Sequence, residues 1–428
     1  VTGRQYIPEE KQQAIGREQA KYAVRPMVGS DSRPDVSTWA GCVVRPLGFI
    51  LDAWINPPAN LIVDDCDLCS EIVPANDYGE PVEEITGPAI YAGYIRRIWG
   101  HFLMNTTARL WYLLKGAPSD AKIVFAVAED ENTGFWETGN YAELFDMLGI
   151  AGRIVVISRP TAFRSIVVPA LGFNLQTHIS PEWREIFDRL RQEALARTAP
   201  DANSPKKIFF SRSAWKTHIA KDIGIELLDN YFARNGYAVI SPEKMSLSAM
   251  IRLLDSAEAI AFTSGSVAHN ILLAREGTFV TIVESLPTQK IFQVAANLAS
   301  GISPVYIEGS LAVRPVEEGS GPCLYHYTDF WQKYTEDTGG CHPDEKYLSD
   351  RAVKRRLRTF FRSYSRLYKK AISYDMYLLD EADLYFRALE RSKEALRPWL
   401  YGERALYFSD YLDPYFWARR IKRFLRRR

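Results

Sequence analysis

Apolar and polar residues alternate along this chain in two periodic blocks. In the first, "HFLMNTTARLWYLLK" (101–115) sets Phe102, Leu103, Leu110, Leu113 and Leu114 at helical spacing. "AKIVFAVAED" then reads as a strand, "YAELFDMLGI" as a helix ending near Gly149, and "GRIVVIS" as another strand. "PEWREIFDRLRQEALART" (181–198) predicts a helix, with Ser180 as cap and Pro181 at its first position. After the polar stretch "APDANSPKK" the alternation resumes. Strands "KIFFSRS", "YAVISPE", "AIAFTS" and "TFVTIVES" are separated by helices "GIELLDNYFARNG", "SLSAMIRLLDSAE" and "SVAHNILLAREG". Units of this length are βαβ repeats of a layered α/β fold.

The pattern therefore predicts an irregular polar lead-in over 1–35, a first Rossmann-like domain over 36–198 and a second over 199–310. Loops and a helical tail over 311–428 pack back on the first domain. Between 36 and 95, short apolar runs such as "GCVVRPLGFILDAWI", "NLIVDD" and "AIYAGYI" read as strands and turns. No internal sequence repeat is visible. Two such halves face a cleft, and ligands of open α/β sheets bind beyond the carboxyl ends of the strands.

That rule singles out "TSGSVAHN" (263–270), where a strand runs into a helix start. A helix N-terminus gathers anions. Gly265 permits close backbone approach, Ser264 and Ser266 offer hydroxyls, and His269 and Asn270 lie in the first turn. A Ser-capped helix start with nothing bound is the plain alternative. Arg212, at another strand end, offers a planar fork for phosphate oxygens, with Lys216 as a second cation. A surface ion pair is the alternative for Arg212.

Composition adds limits. The chain has 428 residues, 47% apolar and 25% charged, with a net charge of +1, so it is an ordinary globular chain without general affinity for polyanions. The balance is uneven, however: residues 351–428 hold 21 Lys and Arg against 9 Asp and Glu, and the remainder 32 against 43. A basic tail on an acidic body fits an anionic surface or a solvated helical face. "YFSDYLDPYFWARRIKRFLRRR" interleaves aromatic and basic residues as a bilayer-surface segment does. Packing of those aromatics on the first domain is the alternative. Five cysteines, among them the lone Cys66-x-x-Cys69, argue against a disulfide framework or a zinc site. With no signal-peptide pattern and no long apolar run, a cytoplasmic protein is expected, peripheral at most on the inner face of the membrane.

Three segments read in order resemble glycosyltransferase family 61. "GHFLMNTTARLW" (100–111) is similar to that family's His-aromatic-Leu-Leu-Glu-x-x-x-Arg-Leu signature. The run from "IFFSRSAWK" through "TSGSVAHNILLA" resembles its C-terminal half, and "TFVTIVESLP" its closing strand ending in Glu-x-x-Pro. The resemblance spans about residues 90–310. Asn105 stands where the family has Glu, Ile225 where it has Asn, Met250 where Gln is frequent and Ser264 where several eukaryotic members have His.

The resemblance implies a GT-B-like fold and an inverting transferase that moves a sugar from a nucleotide-sugar donor, here a UDP-sugar, to an oligosaccharide or lipid-linked glycan of a surface or capsular polysaccharide. Ser211, Arg212, Lys216, Glu226, Ser264, Gly265, Ser266, His269, Asn270 and Glu284 are its donor-binding candidates. His101 is the candidate base, since imidazole accepts a proton near neutral pH. Glu129 and Asp130 at a strand end are rival bases. Asn105 and Arg109 lie on the acceptor side. No cofactor, metal or nucleic acid is expected, although Asp65-x-Asp67 also fits the divalent-metal motif of the other transferase architecture. A nucleotide-sugar epimerase, a pyruvyl-type transferase and a non-catalytic scaffold of a polysaccharide assembly complex share the same sequence features.

Overall fold

A computed structural model describes residues 4–30, 32–46, 70–74, 83–127, 131–175, 177–215, 221–286, 291–313, 321–367 and 382–400. The chain is a mixed α/β structure built on two main sheets. The first contains β1 (Val36–Pro46), β2 (Ser70–Pro74), β3 (Glu83–Ile85), β4 (Ala89–Tyr94), β5 (Lys122–Ala126), β6 (Ile154–Ile157) and β7 (Thr161–Pro169). Its order is β2-β1-β7-β4-β5-β6, with β3 also on β7. β4, β5 and β6 are parallel, whereas β1 runs antiparallel to β2 and β7. Every residue of β4 is buried, as its unbroken run "AIYAGY" requires of a strand covered on both faces.

The second sheet comprises β8 (Lys207–Phe210), β9 (Ala238–Ile240), β10 (Ala259–Thr263), β11 (Phe279–Glu284) and β12 (Val305–Glu308), all parallel, in the order β9-β8-β10-β11-β12. This is the 2-1-3-4-5 order of a doubly wound sheet. Its crossovers leave β8 and β10 toward opposite sides, and that reversal opens a crevice at their carboxyl ends.

Nine helices of nine residues or more are defined among the described residues: α1 (Glu9–Gln19), α2 (Gly139–Met147), α3 (Pro181–Arg197), α4 (Ile225–Arg234), α5 (Leu247–Ser256), α6 (Ile291–Ser300), α7 (Asp329–Thr338), α8 (Asp350–Leu367) and α9 (Ala382–Leu400). The two halves share one hydrophobic core that runs from Ile90 and Phe125 through Trp183 and Leu190 to Ile251, Phe262 and Ile282. Glu143 of α2 fixes the junction: its carboxylate accepts from the backbone N–H of Leu247 at 2.6 Å and of Ser248 at 2.9 Å. A charge from the first half thus caps α5 of the second, where negative charge is favoured. Ile225 and Met250, two of the departures from the family pattern, are both buried core residues.

Three expectations are corrected. The lead-in is not irregular: Tyr6 pairs with Ile307 on the edge of β12, and α1 follows, its Lys11 turned inward. An inward lysine on a polar helix carries no apolar periodicity to read. The segment 101–115 is not one helix. A turn at Trp99–His101 passes into a π-helix at Phe102–Thr106 and a 3-10 helix at Leu110–Leu114. Thr106 Oγ donates to Tyr94 O at 3.0 Å and Thr107 Oγ to Leu103 O at 2.6 Å, and such side-chain bonds compete with the regular ladder. The described helices after 311 pack on the second half rather than the first. Val353, Leu357 and Phe360 of α8 lie against Ile223 and Leu324, and Leu396 of α9 joins them. Residues 401–428 and Asp65, Cys66, Asp67 and Cys69 lie outside the described residues. No described helix is long and apolar enough to cross a membrane.

Candidate functional site

The carboxyl ends of the two sheets meet at one place. β4 leads through Ile95 to the Trp99–His101 turn, and β10 leads into Ser264–Asn270. Gly100 packs so tightly there that a Cβ on it would stand 2.4 Å from His269 Nδ1 and 3.0 Å from Ser266 Oγ. Trp99 Nε1 donates to Asn270 Oδ1 at 2.9 Å. Phe292, from α6, sits against both imidazoles: its ring centroid is 4.8 Å from that of His101 and 6.4 Å from that of His269. Two histidines from separate halves, 168 positions apart in the chain, therefore flank one phenylalanine.

His101 Nδ1 lies 3.0 Å from Asn105 Oδ1. An amide oxygen only accepts, so this contact places the proton on Nδ1 and leaves Nε2 as the basic nitrogen. Burial, reinforced by the Arg96 charge and opposed by the Asn105 bond, pulls the His101 pKa down to about 4. The imidazole is thus neutral at physiological pH. Asn105, expected on the acceptor side, is placed against the His101 imidazole. Arg96 belongs to a buried network with Glu131, whose carboxylate lies 3.5 Å from Arg96 Nε and accepts from Tyr94 OH and Arg97 N–H, each at 3.1 Å.

At the crevice between β8 and β10, Phe210 pairs with Phe262, so Ser211-Arg212 and Thr263-Ser264 leave adjacent strands side by side. Gly265 adopts φ +118°, a conformation an L side chain rarely takes, which explains glycine at the bend. Arg212 is engaged: its Nη2 donates to Asp222 Oδ1 at 2.9 Å, with side chains only 14% and 4% exposed. Burial works against the Arg212 charge, but Asp222, Tyr325 and Cys323 more than offset it and raise its pKa.

Several sequence candidates serve other ends. The helix after Val267 is a six-residue 3-10 helix, Ala268–Leu273, too short for the dipole expected of it. Ser264 does not offer its hydroxyl outward: Oγ accepts from Ser285 N at 2.9 Å and lies 2.8 Å from Ser285 Oγ. Glu284 forms a buried ion pair with Lys11 at 2.9 Å, both 2% exposed, while Lys11 also donates to Leu286 O at 2.8 Å. Arg109, expected on the acceptor side, is 2% exposed in the core, bonded to Pro169 O and 5.8 Å from the Tyr91 ring. Glu226 opens α4 and faces Arg355 at 3.9 Å. Ser211 accepts from Ser213 N–H at 3.0 Å. Glu129, Asp130 and Lys216 lie outside the described residues.

Trp99, Gly100, Phe292, Ser285 and Lys11 escaped the sequence reading. Only "WGH" carried a local signal, a glycine between two large rings. Replacing Gly100 by Ala forces the His269 ring and Ser266 to shift, with an expected loss of about 1–3 kcal/mol of stability, measured by denaturant unfolding. An unchanged midpoint would show that the turn relaxes freely.

Residues 99–281 match the sequence profile of the family described as Glycosyltransferase 61. No curated protein matches the chain.

Proposed function

Residues 99–281 form a glycosyltransferase family 61 domain, and from that premise we propose an inverting, GT-B-like enzyme that transfers one sugar from a UDP-sugar to a glycan acceptor of a surface polysaccharide. The observation that supports the finer reading is the meeting of the Trp99–His101 turn with the Ser266–Asn270 turn beside the β8/β10 crevice, with Phe292 against both His101 and His269. Matched residues from both ends of the domain converge there.

In this reading, His101 Nε2 takes the proton of the acceptor hydroxyl. The acceptor oxygen forms its bond to the anomeric carbon as the bond from that carbon to the donor phosphate breaks. The electron pair leaves with the nucleoside diphosphate, which lies along Gly265 and Ser266 and shares the Arg212 charge with Asp222. Asn105 holds the His101 tautomer, and Phe292 keeps water from the base.

The test is transfer by the purified full chain across UDP-, GDP-, CDP- and CMP-sugars with glycan acceptors, with product anomery read by NMR. Stereochemical inversion with one UDP-sugar is expected. Donor turnover without any acceptor would replace the reading with an epimerase, and no stabilisation by any nucleotide would replace it with a scaffold. We also propose that no metal is required: activity persists in excess chelator. Complete loss restored by Mn²⁺ would move leaving-group stabilisation to Asp65 and Asp67.

A further inference from the structure

Helix α8 presents an exposed row of six cations: Arg351, Lys354, Arg355, Arg358, Arg362 and Arg366. At 100° per residue these fall within an arc of about 120° and extend about 22 Å along the helix. The opposite face is the packing face, where Val353, Leu357, Phe360 and Tyr364 are buried. Arg356, on that inner side, is 3% exposed and donates to Tyr347 O at 2.8 Å. From Arg351 to Tyr374 the sequence contains no Asp or Glu. Acids near it among the described residues include Asp350 at the start of the helix and Glu226, which faces Arg355 at 3.9 Å. By contrast, α9 mixes Glu390 and Glu394 with its basic residues.

We propose that this stripe docks the protein on an anionic lipid bilayer. A charged helix face of this length meets a surface along its whole length, and each basic residue near an anionic bilayer adds about 1 kcal/mol of binding. Charge complementarity selects that partner over an extended nucleic acid. The chain before residue 351 carries 43 acidic against 32 basic residues, so a polyanion running past the stripe would meet repulsion. The phenyl and phenol rings of Phe360 and Tyr364 are turned into the core, leaving them no part in stacking on bases.

The stripe is fixed to the candidate site. α8 packs on Ile223, next to Asp222, which holds Arg212. A Cβ on Gly224 would stand 2.9 Å from Arg356 Cδ. Docking through α8 therefore brings the Arg212 side of the crevice to the bilayer. Resting on the glycosyltransferase reading, this makes the acceptor class a lipid-linked glycan.

The test is flotation of the full chain with phosphatidylcholine vesicles, with and without phosphatidylglycerol, at low and high salt. The comparison is with a full-length variant carrying Arg351→Gln, Lys354→Gln, Arg362→Gln and Arg366→Gln. Glutamine keeps helix propensity at exposed positions, and circular dichroism with thermal unfolding checks the fold. The wild type is expected to float only with anionic vesicles and to be released by salt. The variant is expected to lose at least about a hundredfold in partition. Equal flotation by the variant overturns the proposal and moves membrane binding elsewhere, such as to residues 401–428. Capture by soluble heparin with no vesicle partition overturns it in favour of an anionic glycan track. Sugar transfer to a soluble acceptor is measured separately, so a failed docking result leaves the transferase reading standing, and the converse.

Discussion

Replacing His101 by Asn is expected to lower kcat about 10²- to 10⁴-fold, the range for loss of a positioned general base. The structure also fixes the pH behaviour. With a pKa of about 4, the wild-type imidazole is neutral, and able to accept a proton, at any pH well above that value. As pH falls through about 4, the imidazolium forms and kcat/KM falls with it, up to tenfold per pH unit. The His101→Asn variant should lack this acid limb. The depressed pKa has a cost in basicity, because the pull on the acceptor proton weakens as the pKa drops.

Asn105 contributes to this balance. Its neutral Oδ1 orders the Nδ1 proton but supplies no charge to stabilise the imidazolium. The family pattern has Glu at this position. Asn105→Glu is therefore expected to raise the His101 pKa and move the acid limb to higher pH, a displacement that loss of packing alone would not produce. An acid limb that stays in place in both variants would remove His101 from the role of base and bring Glu129 and Asp130 back as rivals.

The second large effect concerns Arg212. Arg212→Met leaves the Asp222 carboxylate, 4% exposed, without its guanidinium partner, and breaking a buried pair in this way costs about 3–5 kcal/mol. Arg212→Met combined with Asp222→Asn removes both charges and is expected to recover most of that stability. The two variants separate folding from binding. In the double variant, thermal unfolding should return near the wild-type value while UDP-sugar affinity and kcat stay low. A double variant that folds and binds the donor as well as wild type would show that Arg212 only closes an internal ion pair. The departing diphosphate would then need another cation, with Lys216 next in sequence.

The same pairs explain why some candidates turned out to be internal supports. Glu284 was a donor-binding candidate at a strand end, yet Lys11 reaches it from 273 positions away and also holds Leu286 O. Ser285, between those two anchors, fixes Ser264 and with it the start of the Gly265 bend. Lys11 lies outside the matched segment, and no spacing rule connects a lysine in a polar helix to a glutamate so distant in the chain. Arg109 went astray for a related reason. It was expected beside Asn105, but the segment is not one regular helix, and its guanidinium lies in the core on Pro169 O.

Taken by itself, the sequence determined the elements that depend on local pattern. Unbroken apolar runs specified β5, β8, β10 and β11, helical spacing with Ser or Gly punctuation specified α3, α4 and α5, and the family motifs located His101, Asn105, Arg212 and the 265–270 turn. Such features are legible because period, cap and bend each depend on a few neighbouring residues. The tertiary structure alone decided the strand order, which opens a crevice beside Arg212, and the contact of Gly100 with His269. It also decided the partners of Glu284, Ser264 and Arg109. These depend on which distant segments share an interior, and there each buried polar group must find a partner wherever the chain supplies one.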